Sequence, residues 1–228
     1  MITLLGIGHV FDIGRATRDA ILSRRPKVVA LELDPARYAA LVQRAPRSRG
    51  FGVLHLVAGI EARVAAEYGV QVGDEMLAAA RAANEVGAEV ALVDVDSRDV
   101  LVRMWRSMSW GEKTRLVVSL VRGMFAGREQ VETELARYHQ DERSVIDEFA
   151  RALPTAKRIL IDERDAHMAA RLADLHRTRG DVVAVVGDGH IHGLRDRLAA
   201  ESVEVVRLRD LRSPPSGPNA SASVSVRL

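Results

Sequence analysis

Five short apolar runs interrupt a chain whose other apolar residues recur at helical spacing. Residues 2–6 (ITLLG), 27–34 (KVVALELD), 89–95 (EVALVDV), 182–187 (VVAVVG) and 203–208 (VEVVRL) are rich in β-branched residues and leucine. They predict strands, and the unbroken run at 182–187 predicts one buried on both faces. Between the first two runs, Ile13, Ala16, Ala20 and Ile21 mark helical spacing over residues 14–24. Strand, helix and strand in that order favour a parallel sheet with a right-handed crossover.

The helical stretches are long. Residues 73–87 (GDEMLAAARAANEVG) begin with acidic residues after one glycine and stop at Gly87, the start and stop signals of one helix. Residues 97–178 contain no strand-like run. Ser109 with Glu112 three residues on forms a capping box, and Pro154 marks a second break. The expected architecture is an α/β domain over residues 1–212. Its sheet is mixed but mainly parallel and flanked by helices, with a large α-helical insertion at 97–178. The Pro/Ser/Gly-rich stretch at 213–228 is expected to be disordered.

Composition narrows the function classes. The chain has 228 residues, 47% of them hydrophobic, enough for a sizeable core. There is no cysteine, which removes disulfides and thiolate metal sites and fits a cytoplasmic protein. A net charge of +2, with no basic cluster interleaved with aromatics, argues against a nucleic-acid partner. No apolar run approaches the roughly 20 residues of a membrane span. The start MITLLGIGHV lacks the basic region and cleavage site of a signal peptide.

The chemistry gathers at strand ends, where open parallel sheets place their functional groups. Two runs stop at the same motif, Gly-x-x-His: Gly6 to His9 and Gly187 to His190. In ALELD, Glu32 and Asp34 share one strand face by alternation. Glu32, inside an apolar run, needs a cation, either an arginine or a metal. Asp34, before Pro35, reads as a helix cap. In VDVD, Asp96 reads as a cap and Asp94 as a site residue or buried ion pair, with Arg103 and Arg106 able to reach back to it. Two histidines in matched contexts plus a strand-borne glutamate make a His/His/carboxylate set for a divalent ion. Glu75 occupies the first turn of its helix, where the dipole favours it, and Glu163 with His167 shares a helix face beside Arg164. Loosely, GDGHIHG also matches a dinucleotide fingerprint, although Asp188 would repel a pyrophosphate.

Taken in order, GIGH, VVALELDPARY, GDEMLAAARAANEVGAEVALVDVD, VLVRMWRSMSWGEKTRL, LIDERDAHMAARL and VVAVVGDGHIHGL resemble the TraB family, which includes pheromone-shutdown proteins. The family is related to Tiki metalloproteases and to erythromycin-esterase-like and haem-binding ChaN-like proteins. The resemblance implies that His9, Glu32 and His190 carry metal or proton chemistry, with Mn, Co or Zn as the ion. It implies that Glu75, Arg103, Glu163 and Arg164 complete the pocket. The expected activity is metal-dependent hydrolysis of peptides, with Arg103 or Arg164 stabilising an oxyanion or a substrate carboxylate. The alternative is a non-catalytic protein that binds a peptide, haem or another small molecule. A homodimer is among the assemblies open to it.

Overall fold

The computed structural model describes residues 1–7, 14–43, 73–124 and 142–207. Its five strands are β1 (Ile2–Ile7), β2 (Val28–Leu31), β3 (Glu89–Leu92), β4 (Val182–Gly187) and β5 (Val203–Val206). They form one sheet in the order β3-β2-β4-β1-β5. Every pairing is parallel. The α/β class and the mainly parallel sheet are borne out, with all of the described strands parallel. The physical reason is that helices between successive described strands return the chain to the same sheet edge.

Helices cover both faces. On one face, α1 (Gly14–Arg24) and α3 (Asp74–Val86) bring Ile21, Met76, Ala79 and Ala83 against Leu5, Val29, Leu31, Val183 and Val185. On the other, α8 (Glu163–Arg179) and α9 (Ile191–Arg197) bring Met168, Leu172, Ile191 and Leu194 against Leu4, Ala30, Val182, Ala184 and Val186. β4 alternates between the two clusters and is buried along its length, which is why its sequence is apolar without a break. Gly87 ends α3 in the left-handed region at φ 71°, where a side chain would be strained.

Among the described residues, four further helices lie between β3 and β4: α4 (Ser97–Ser107), α5 (Trp110–Met124), α6 (Glu142–Ala152) and α7 (Pro154–Lys157). They share a small core of Val100, Met104, Met108, Leu153, Ala156 and Ile159. α8, at the end of the same segment, packs on the sheet as its crossover helix. The Ser109–Glu112 box forms, with Ser109 N donating to Glu112 Oε2 at 3.0 Å and Glu112 N to Ser109 Oγ at 3.2 Å. Glu112 also accepts from Thr155 N at 2.7 Å, so one carboxylate ties the start of α5 to the start of α7. Those bonds hold its pKa below the ordinary value although burial opposes them. A π turn, Arg158–Asp162, leads into α8.

β4 comes fourth in the chain yet lies between β1 and β2. The helices that follow β1 and β4 lie on opposite faces of the sheet, so the carboxyl ends of these strands form a topological switch point, the place where open α/β sheets carry their ligand crevice. Among the described residues no helix is long and apolar enough to cross a membrane.

Candidate active site

Glu32 follows the last residue of β2, and its N–H donates to Val185 O at 3.1 Å. Its carboxylate is 4% exposed by residue and meets three groups from the far end of the chain. Oε1 lies 2.5 Å from Arg164 Nη2 and 3.3 Å from His190 Nε2. Oε2 accepts the Gly187 N–H at 2.6 Å. The cation that the sequence demands for Glu32 is therefore an arginine among the described residues.

Arg164 comes from the first turn of α8, which begins at the carboxyl edge. It grips Asp94 with two bonds, Nε to Oδ1 at 3.0 Å and Nη2 to Oδ2 at 2.7 Å. Nη1 donates to Leu160 O in the π turn at 3.1 Å and lies 3.3 Å from His190 Nε2. Burial works against its charge, but the Asp94 bonds and the Glu32 charge more than offset this and hold the guanidinium protonated. With each nitrogen already engaged, Arg164 is a clamp on two buried carboxylates rather than a free donor for an oxyanion. Arg37, from α2 (Pro35–Val42), adds a second guanidinium 3.5 Å from Asp94 Oδ2.

His190 ends a 3-10 turn, Asp188–His190, that follows β4. Asp165 Oδ1 lies 2.5 Å from its Nδ1, and both groups are buried. Burial lowers the histidine's pKa, but the Glu32 charge and the hydrogen bond to Asp165 outweigh it and push the value up to about 10. The imidazolium so formed donates Nδ1–H to Asp165 and Nε2–H to Glu32. Glu32, Asp94 and Asp165 thus face Arg164, Arg37 and His190, and pairing is what makes their burial tolerable. A raised folded-state pKa contributes stability in full below the ordinary value of 6.5. That contribution is lost as pH rises through about 10. His190→Asn is therefore expected to flatten the alkaline limb of Tm against pH. Melts of the two proteins from pH 7 to about 10 decide it, and parallel curves would refute the assignment.

The other expected site residues scatter around this centre. Arg103, on α4, pairs with Glu163 at 2.8 Å and is 54% exposed. Glu163 also meets Arg158. Neither Arg103 nor Arg106 has taken Asp94; Arg164 has, because it enters the crevice from the helix that faces it. Glu75 is buried in the first turn of α3, which begins at the same carboxyl edge. His167 is exposed. His9 lies outside the described residues. What is described is that β1, which leads to it, pairs with β4 through Ile7 opposite Gly187.

Strand alternation does not govern the two acidic pairs, because β2 ends at Leu31 and β3 at Leu92. Past those points Glu32 turns to Arg164 while Asp34 caps α2, accepting from Arg37 N at 2.9 Å and from Ser97 N at 3.2 Å. Burial raises the Asp34 pKa, but these backbone donors bring it below the ordinary value. Asp96 likewise caps α4 through Arg98 N and Asp99 N. The Gly187 N–H that a dinucleotide phosphate would use is spent on Glu32.

Two glycines of the motifs have steric jobs. A Cβ on Gly6 would overlap Asp188 Oδ1 and stand 2.9 Å from Ile191 Cγ1. Gly6 is thus the floor on which the turn after β4 rests. Gly6→Ala is expected to cost about 2 kcal/mol by overpacking, and a Tm equal to the parent's would contradict it. A Cβ on Gly193 would overlap Asp165 Oδ2.

Sequence reasoning missed Asp165, Gly193 and Arg37. Asp165 did carry a signal. Met168, Ala169, Leu172 and Leu175 form the buried stripe of α8, and Asp165 occupies the next position of that stripe at helical spacing. A carboxylate in a core register needs a partner.

The donor set does not by itself suit a divalent ion. Among the described residues no group of three His, Cys, Asp or Glu is placed to hold one. Glu32 and His190 offer two donors, and the Arg164 guanidinium stands on the same Glu32 oxygen.

The model of the TraB/PrgY/gumN family matches residues 40–207. An uncharacterized protein of Methanocaldococcus jannaschii is 27% identical over 206 residues, covering 85% of this chain and 52% of that protein. The chain therefore spans about half the length of the curated relative it matches. Among solved structures, one titled "Cofacial heme binding to ChaN of Campylobacter jejuni" aligns with TM-score 0.41 and 13% identity, over 90% of this chain and 80% of the other.

Proposed function

The chain belongs to the TraB/PrgY/gumN family, and from that premise we propose that it is a hydrolase acting on the carbonyl of a peptide-like substrate at the crevice over β4 and its neighbours. One observation carries the reading. His190 is buried and held by Asp165 on one nitrogen, and its other nitrogen faces Glu32 and Arg164. A histidine between two carboxylates can give and take a proton at one atom, Nε2, without turning. Glu32 is the acceptor within reach, and Arg164 keeps that carboxylate in place.

The test is a screen of the purified chain against a mixed peptide library, read by mass spectrometry, with H190Q as the control. New termini made by the parent and not by H190Q support the reading. Peptide binding without cleavage would instead favour the binding alternative.

A second reading keeps the divalent ion. Its support is that Asp165 occupies Nδ1 and so leaves Nε2, 3.3 Å from Glu32 Oε1, as the nitrogen an ion would meet. Glu32, His190 and His9 would hold it, and when bound it would supply an activated water. Calorimetric titration of the parent and of H190A with Mn, Co or Zn decides this. Stoichiometric binding lost in H190A supports it, and no heat in the parent removes it.

A further inference from the structure

Asp165 is costly where it stands. It is 1% exposed on the apolar stripe of α8, between the sheet and the first turn of α9. An aliphatic residue there would extend Met168, Ala169 and Leu172 without taking a charge out of water. Its carboxylate makes one short contact, to His190 Nδ1, and its second oxygen lies over the backbone of Gly193, with Arg197 Nη1 4.0 Å away. The space exists because residue 193 has no side chain: a Cβ there would overlap Oδ2 and stand 2.8 Å from Cγ. Gly193 is helical, three residues after His190, so no unusual backbone angle explains it. Clearance does.

We propose that Asp165 is the positioning residue of the site, fixing the His190 ring so that Nε2 faces Glu32, and that Gly193 provides the clearance that lets it do so. The proposal deepens the hydrolase reading and rests on it for its meaning, but its geometry can be tested separately. Without Asp165 the ring is free to turn about its last torsion, which would put the carbon Cε1 where Nε2 now faces Glu32. Asp165 acts through His190 rather than on anything bound in the crevice.

The test uses the full chain labelled with nitrogen-15 histidine. The parent is expected to show one strongly deshielded, slowly exchanging ring N–H that disappears in H190Q and so belongs to His190. In D165N, close in size to the parent, that resonance should move upfield or broaden into water exchange while circular dichroism stays unchanged. In G193A, where the charge is kept but displaced, it should change in the same way. If the resonance is unaltered in D165N or in a folded G193A, the proposal is overturned. Should G193A not fold, D165N alone decides. Cleavage measured on the same samples separates the two ideas. A parent that cleaves no peptide but shows these spectral changes removes the hydrolase reading and keeps the positioning. A parent that cleaves, beside a D165N with the same kcat and the same spectrum, does the reverse.

Discussion

Replacing Arg164 with methionine is expected to destabilise the protein by about 3–5 kcal/mol, lowering Tm by roughly 10 °C in a chain of this size. Methionine approaches the length of the side chain and keeps much of its packing, so the loss chiefly measures the charge. Arg164 neutralises Glu32 and Asp94, whose side chains are 5% and 1% exposed. Removing it leaves Asp94 with Arg37 at 3.5 Å and Glu32 with His190 at 3.3 Å, both longer than the bonds it lost. Arg164→Lys should fall between, because an ammonium keeps the charge but cannot grip Asp94 with two parallel bonds and still reach Glu32. Urea melts of the three proteins measure this. A methionine variant within about 1 kcal/mol of the parent would refute the clamp.

Glu32→Gln is expected to reduce kcat/KM on any peptide the chain cleaves by about 100-fold or more. The amide keeps the shape of the side chain but gives up the charge facing His190 Nε2, and it cannot take up a proton. It can still accept from Gly187 N, so the turn that carries His190 is expected to stay in place. Arg103→Ala is the contrasting variant. Arg103 is half exposed and engaged by Glu163, and surface pairs of this kind contribute little, so its loss should leave kcat within a few-fold of the parent. Steady-state kinetics on one substrate compare the two. Equal losses would return Arg103 to the centre of the site, and an active E32Q would remove Glu32 from it.

The contacts behind these outcomes differ widely in range, and range decides what residue types alone reveal. Asp34 and Asp96 as caps, the Ser109–Glu112 box, the break at Pro154 and the glycine stop at Gly87 all involve partners within about four residues. Each follows from local chemistry. The continuous burial of β4 is legible for a similar reason, since a strand covered on both faces cannot alternate. Even so, reading past a strand's end misleads. Glu32 and Asp34 share a face only while the chain stays extended, and β2 ends at Leu31.

The site is another matter. Glu32 meets Arg164 across 132 positions and the Gly187 N–H across 155. Nothing local in ALELD distinguishes an arginine partner from a metal. Nor does the segment ERD at 163–165 show that its three charges go three ways: Glu163 to Arg103, Arg164 to Glu32 and Asp94, and Asp165 to His190. Adjacent helical side chains, about 100° apart, point into different surroundings, and only the packed neighbours say what those are. Residue order alone was therefore enough for the strands, the caps and the residues at strand ends that needed partners. Who those partners are was settled by packing, because β4 inserts between β1 and β2. That insertion sets the Gly187 turn beside Glu32, under the start of α8, at a cost in chain entropy that only the buried sheet and its two apolar faces can offset.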